Sequence, residues 1–238
     1  MKKSGFTLAE ILITLGIIGV ITMLTMPTLI SNYQKKVFSA QIHEAYSILN
    51  RATEGYFVGK GTVNIREAGL DSTQGIYDFL TSSFKVTHDC TGKPQNCFAD
   101  SYKNIQGDAV DPYIDTQTPC AQIASGAVIC IQGLPGDNFG GVVVDVNGKK
   151  GPNTVGRDVF FLGLNTDGSV GNYVATFTPQ APSGGPGGFS PQPEQPPCQY
   201  DDSSECLINF CKSAGGIVSR GATYCFDALQ RDNFEMNY

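Results

Sequence analysis

The chain is poor in charge. Only 16% of its 238 residues are Asp, Glu, Lys or Arg, the net charge is −6, and no basic run offers a footprint for a nucleic acid backbone. The acidic balance, with a pI near 4.8, argues against nucleic-acid binding. Histidine is nearly absent, with only His43 and His88 present. There is no C-x-x-C pair beside them, so the ligand spacing of structural zinc is missing. A phosphate-binding loop, a metalloprotease motif and a nucleophile elbow are absent too. These absences remove the enzyme classes that announce themselves by motif, and the chain is expected not to be an enzyme.

What is present begins at the N-terminus. From Phe6 to Met26 the chain is apolar apart from small and hydroxyl residues, with a single ionisable side chain, Glu10. At 1.5 Å per residue this stretch reaches about 31 Å, enough to cross a hydrocarbon core of about 30 Å. A charge inside such a span costs roughly 2.5–3.5 kcal/mol at the bilayer centre, so Glu10 is a functional candidate by default. Lys2 and Lys3 precede the span and place the N-terminus in the cytoplasm. Lys35 and Lys36 follow it and run against that charge rule.

Two simpler readings compete. A removable signal peptide has a short apolar region and a small-residue cleavage site after it. Here the apolar run is longer, contains Glu10 and is followed by no A-x-A-like site. A plain uncleaved anchor satisfies the length criterion but gives Gly5-Phe6 and Glu10 no role.

Lys2-Lys3, Gly5-Phe6-Thr7-Leu8-x-Glu10 and the apolar helix behind them resemble the N-terminus of type IV pilins and of the pseudopilins of type II secretion. The resemblance implies that a prepilin peptidase cuts after Gly5 and methylates the new amine of Phe6. It also implies that Glu10 meets the Phe6 amine of a neighbouring subunit and so selects the register of assembly. A registry role is the best-attested use of a buried charge. Phe6 and Glu10 are four residues apart and share a helix face. Gly19 and Pro27, with Gly16, are expected to kink or loosen the helix, since proline removes a donor and clashes with the preceding turn. The implied partners are the peptidase, other pilin or pseudopilin subunits, an inner-membrane assembly platform and membrane lipid. The implied location is the inner membrane, crossed once, with a cytoplasmic N-terminus and an extracytoplasmic head that joins a periplasmic or cell-surface filament.

The eight cysteines all lie beyond the span: Cys90, Cys97, Cys120, Cys130, Cys198, Cys206, Cys211 and Cys225. An even number in this position reads as disulfides in an oxidising compartment. Four precede a Pro/Gly-rich stretch and four follow it, and pairing within each group is the simplest arrangement. The connectivity itself stays open.

The domain reading is a leader (1–5), a transmembrane helix (6–30), its amphipathic continuation (31–60), a head (61–177), a Pro/Gly-rich linker (178–197) and a Cys-rich extension (198–238). Ile30, Tyr33, Val37, Ala45, Ile48, Leu49, Ala52 and Tyr56 form the apolar stripe of the continuation. A helical patch is expected around Gly75–Phe84. Ala127–Gln132, Gly141–Val146, Asp158–Leu164 and Tyr173–Thr178 read as strands, with Asn147-Gly148 and Asp167-Gly168 as turns between them. The fold class is therefore α+β, a long helix packed on an antiparallel sheet. The resemblance makes it pilin-like, and the stretch Asp145–Asn153 followed by Gly156–Phe160 also resembles a segment of pseudopilin-like heads. The extension is too short to stand on burial alone and should be a disulfide-stapled piece lying against the head or at the filament surface.

Two clusters have the look of chemistry. His88-Asp89-Cys90 holds triad residue types, but consecutive residues rarely point at one another, and the cysteine has a better use in a disulfide. Asp145 and Asn147 near Asp158 form a calcium candidate, as some pseudopilins bind calcium in a head loop, yet Lys149 stands where an EF-hand ligand belongs. A plain Asn-Gly turn accounts for them better, so no cofactor is expected. The function that follows is a filament subunit, a pseudopilin or minor pilin. The alternative is a membrane-tethered binding or adhesion protein that never polymerises.

Overall fold

A computed structural model describes Gly5, residues 7–112, 114–133, 140–171, 204–218 and 220–238. Phe6, Cys198, the strand expected at 173–178 and the stretch at 178–197 lie outside the described residues. Helix α1 is a single element, Leu8–Lys60. It ends at Gly61, whose φ of +66° is the left-handed geometry that glycine supplies at a helix end. Gly19 and Pro27, where a kink or loosening is expected, do not end the helix, which runs through both. Proline removes one N–H bond and crowds the carbonyl one turn earlier, and the hydrogen-bonded turns on either side carry helical order across that point.

The head packs on the second half of α1. The buried face is Ile42, Ala45, Leu49, Thr53 and Phe57, with Ile48, Ala52 and Tyr56 partly buried against the same core, so the stripe read from sequence holds from Ala45 onward but begins too early. Ile30 and Tyr33 are exposed. Helix α2 (Thr73–Ser83) starts at Ser72, whose hydroxyl accepts the Gly75 N–H at 3.1 Å. It contributes Ile76, Phe79 and Leu80 to the core.

The main sheet has six strands: β1 (Val86–Asp89), β4 (Cys120–Ile123), β5 (Val128–Gly133), β6 (Gly140–Asp145), β7 (Val159–Leu164) and β8 (Val170–Gly171). They follow in that order, each antiparallel to the next. Strands β2 (Tyr102–Lys103) and β3 (Ala109–Val110) form a separate pair. Every residue of β6 and β7 is buried, as expected of central strands covered on both faces. The β6–β7 register opposes Asp145 to Val159. Asn147-Gly148 is therefore the start of a long loop (146–158) rather than a two-residue turn. Asp167-Gly168 does turn between β7 and β8.

The segments on either side of β7 approach α1, while helix α4 (Arg220–Arg231) packs on β7 itself. Arg157, just before it, acts electrostatically on Lys35. Beyond it, a Cβ on Gly168 would meet the Phe57 ring, and the Val170 N–H donates to Asn50 Oδ1 at 3.0 Å.

Helices α3 (Ser204–Lys212) and α4 (Arg220–Arg231) do not lie on the head from outside. Cys211, Ala214, Ile217, Ala222, Cys225, Phe226, Leu229 and Met236 belong to the same buried cluster as α1 and the sheet. The head and the extension drawn from sequence thus share one core. The tail then clamps α1. Ser39 Oγ donates to the Phe234 carbonyl, His43 stacks on Phe234 at 4.2 Å, and Tyr46 sits 5.4 Å from Phe226. Disulfides join Cys90–Cys97, Cys120–Cys130 and Cys211–Cys225, and Cys206 is also oxidised.

Candidate functional site

The first turn of α1 is built around Glu10. Thr7 is the N-cap, and its hydroxyl accepts the Glu10 N–H at 3.3 Å. In return Glu10 Oε2 accepts the Thr7 backbone N–H and the Thr7 hydroxyl, each at 2.8 Å. This is a capping box, which satisfies donors a helix start leaves orphaned. Every atom involved belongs to residues 7–10, so cleavage after Gly5 would leave the arrangement whole. Read as a charge, Glu10 was visible in the sequence, but Thr7 was not. Its signal was the Thr-x-x-Glu spacing ahead of an apolar run.

Behind the cap the helix is apolar on all sides. From Leu8 to Ile30 every large apolar side chain is at least 44% exposed, and the helix is long and apolar enough to cross a membrane. Three of the four threonine hydroxyls between Leu8 and Ile30 are turned to the helix backbone. Thr14 donates to the Ile11 carbonyl at 2.9 Å, Thr25 to Ile21 at 3.0 Å and Thr28 to Thr25 at 2.9 Å. Such back-bonding hides polar groups from hydrocarbon. Gly16 and Gly19 have open space where a Cβ would stand.

The calcium candidates come together, but as anchors of the β6–β7 loop. Asp145 Oδ2 accepts the Tyr102 hydroxyl at 2.7 Å, and Oδ1 accepts the Asn147 N–H at 3.1 Å. Asp158 accepts the N–H groups of Asn153 at 2.8 Å and Thr154 at 2.6 Å. Each of the four carboxylate oxygens thus faces a donor. A calcium ion takes 6–8 oxygens, whereas these carboxylates are already bonded to the backbone and to Tyr102, which fixes the loop. Burial pushes the Asp145 carboxyl up to about 7 despite the Tyr102 bond, and it raises Asp158 as well. Among the described residues no group of three or more His, Cys, Asp or Glu is placed to hold a metal ion.

His88, Asp89 and Cys90 do not form a catalytic unit. Cys90 is bonded to Cys97, and Asp89 accepts from the Tyr77 hydroxyl at 3.2 Å and the Thr91 N–H at 2.9 Å. Two surface depressions are present among the described residues. One, of 440 Å³, lies between α1 and α2 with Arg51, Tyr56, Lys60 and Ser82 in its lining and no carboxylate or histidine. The other, of 220 Å³, has Asp111 and Asp115 with neither a nucleophile nor a cation. Neither assembles the parts of an acid–base or nucleophilic site. No protein-family model matches the chain, and no curated protein and no solved structure matches it significantly.

Proposed function

We propose that the chain is a structural subunit, a pseudopilin or minor pilin, of a type IV pilus or a type II secretion filament. In this reading it is cleaved after Gly5 by a prepilin peptidase and waits in the inner membrane with its disulfide-bonded head outside. An assembly platform then brings it to other subunits, and α1 packs among their helices. It works mechanically, not as an enzyme. The observation that carries the proposal is the pairing of a capped carboxylate, Glu10, with an apolar helix exposed on every side and continuous with the head. A membrane span needs no carboxylate in its first turn, whereas assembly in register does.

The capping box also favours the second reading, a tethered binding or adhesion protein that does not polymerise. Thr7 already gives Glu10 a partner within its own chain. Two substitutions separate the readings. Glutamine keeps the capping geometry and loses the charge, whereas alanine loses both. If Glu10 pairs with a neighbour's amine, Glu10→Gln and Glu10→Ala both insert in the membrane and both lose shear-released filament. Filament yield restored to wild type by Glu10→Gln would reject the charge-pairing role. The absence of filament or subunit crosslinks in the wild-type cell would favour the tether.

A further inference from the structure

Lys35 and Lys36 are the residues that the charge rule for membrane topology leaves unexplained, and the fold shows what stands beside them. Lys35 follows Ile30, the last exposed apolar residue of the span, by five residues, or about 7.5 Å along the helix. The headgroup layer is roughly 5–8 Å thick on each side of a bilayer, so both lysines emerge within or just above it. Tyr33, 68% exposed between Ile30 and Lys35, is the kind of side chain that settles at that level.

The last residues of the β6–β7 loop come down to the same level. Because the residue before β7, Arg157, lies near Lys35 and the residues after it lie near Asn50 and Phe57, the first end of β7 is the membrane-proximal one. The tail holds that end in place: Tyr238 donates to the Gly156 carbonyl at 3.0 Å, while Phe234 stacks on His43 of α1. Arg157 stands close enough to Lys35 that, after burial, its guanidinium is the next influence lowering the affinity of that ammonium for its proton. Arg157 Nε is buried and has no hydrogen-bond partner among the described residues. Lys149 and Lys150 are exposed in the same loop, which closes through Asn147 Nδ2 donating to the Gly151 carbonyl at 3.2 Å. Asp232 shares the neighbourhood of Tyr238 with Arg157, but no ion pair joins the two among the described residues.

Lys35 and Arg157 are held near one another, and among the described residues no carboxylate pairs with either; in a chain of net charge −6 that placement asks for an anion. We infer that Lys35 and Lys36 of α1, with Arg157, Lys149 and Lys150 of the β6–β7 loop, form a surface that binds the phosphate headgroups of anionic phospholipids at the face of the membrane from which the head emerges. Guanidinium and ammonium groups are suited to phosphate oxygens, and each basic residue near an anionic bilayer is worth about fivefold in affinity. The consequence is mechanical. The head is seated on the membrane at a fixed height, and leaving the bilayer means breaking these contacts.

The inference rests on the membrane reading of α1, and the experiment separates the two. The full chain is placed in nanodiscs of phosphatidylcholine, of phosphatidylcholine with increasing phosphatidylglycerol, and of phosphatidylcholine with inorganic phosphate in solution. Hydrogen exchange of the loop at 147–157 is followed beside protease protection of α1. We expect α1 to be protected in every disc and loop exchange to slow only as phosphatidylglycerol is added. Lys149→Gln with Lys150→Gln should require at least fivefold more phosphatidylglycerol for the same slowing. These two exposed changes leave the core intact, and Arg157→Gln should act in the same direction. Equal exchange in all discs, or slowing by inorganic phosphate alone, would overturn the inference while leaving the membrane reading standing. Loss of α1 protection in every disc would overturn both.

Discussion

Gly156 lies where the C-terminal segment meets the β6–β7 loop, and substituting it measures how tightly the two are joined. Its φ is +86°, and a Cβ there would stand 2.7 Å from Cys211 Sγ, 2.9 Å from Cys225 Sγ and 3.0 Å from Ile105 Cδ1. Gly156→Ala therefore carries two costs. The left-handed backbone costs an L residue roughly 1–2 kcal/mol. Overpacking against a disulfide adds about 1–3 kcal/mol, because a cystine held at both ends gives little. The sum is about 2–5 kcal/mol. Gly61 supplies the control: its φ is +66°, and a Cβ there meets nothing within 4 Å. Gly61→Ala should cost only the backbone part. Urea unfolding of the full chain in detergent, read for both variants, isolates the packing part by difference. Repeating Gly156→Ala in a Cys211→Ser, Cys225→Ser background should reduce that part, because sulfurs no longer bonded to each other can move apart. A Gly156→Ala variant no less stable than Gly61→Ala would refute the docking of the C-terminal segment against this loop.

Other consequences can be checked separately. Non-reducing peptide mapping of protein from the cell envelope should recover Cys90–Cys97, Cys120–Cys130 and Cys211–Cys225, and free thiols at these positions would remove the argument for an oxidising compartment. Stability should fall as pH rises from about 4 to about 7. The unfolded Asp145 carboxyl ionises near 3.8, whereas the folded one holds its proton up to about 7, so ionisation opposes folding across that interval. The slope should amount to a few kcal/mol in total, and Asp145→Asn should remove its share, so an unchanged urea-midpoint profile in that variant would reject this origin. Leu49→Ala, at a fully buried point of α1, should cost about 2–5 kcal/mol in the same unfolding assay; a cost no larger than that of an exposed α1 position would mean that the head does not pack on this face.

How far the sequence could be read depended on how local the deciding interactions were. The apolar run behind Glu10 is a property of consecutive residues, and its exposure follows directly. Strands β5, β6 and β7 were visible as Val- and Phe-rich runs because strands buried on both faces need apolar residues at every position. Strands β1 and β4 were not. Thr87, His88 and Asp89 are exposed, and their strand character comes from pairing with Ala121–Ile123 across the sheet. The stripe on α1 began too early for a related reason. Ile30 and Tyr33 are exposed and continue the apolar span, and periodicity alone cannot tell the end of such a span from the start of a face that packs on a head. The core contribution of Phe226 and Leu229 was hidden because a short Cys-rich segment after a Pro/Gly-rich stretch carries no local mark of the surface it will bury. At the N-terminus, Glu10 stood out as an unlikely charge, whereas its hydrogen bonds with Thr7 emerged only with the geometry.

The central claim is that this helix is a processed assembly element and not simply an anchor. Mass spectrometry of the intact chain, purified from the cells that make it, tests that claim most directly. The account predicts a mature chain beginning at Phe6 and heavier by one methyl group. A chain still beginning at Met1, or one beginning beyond Met26, would contradict it.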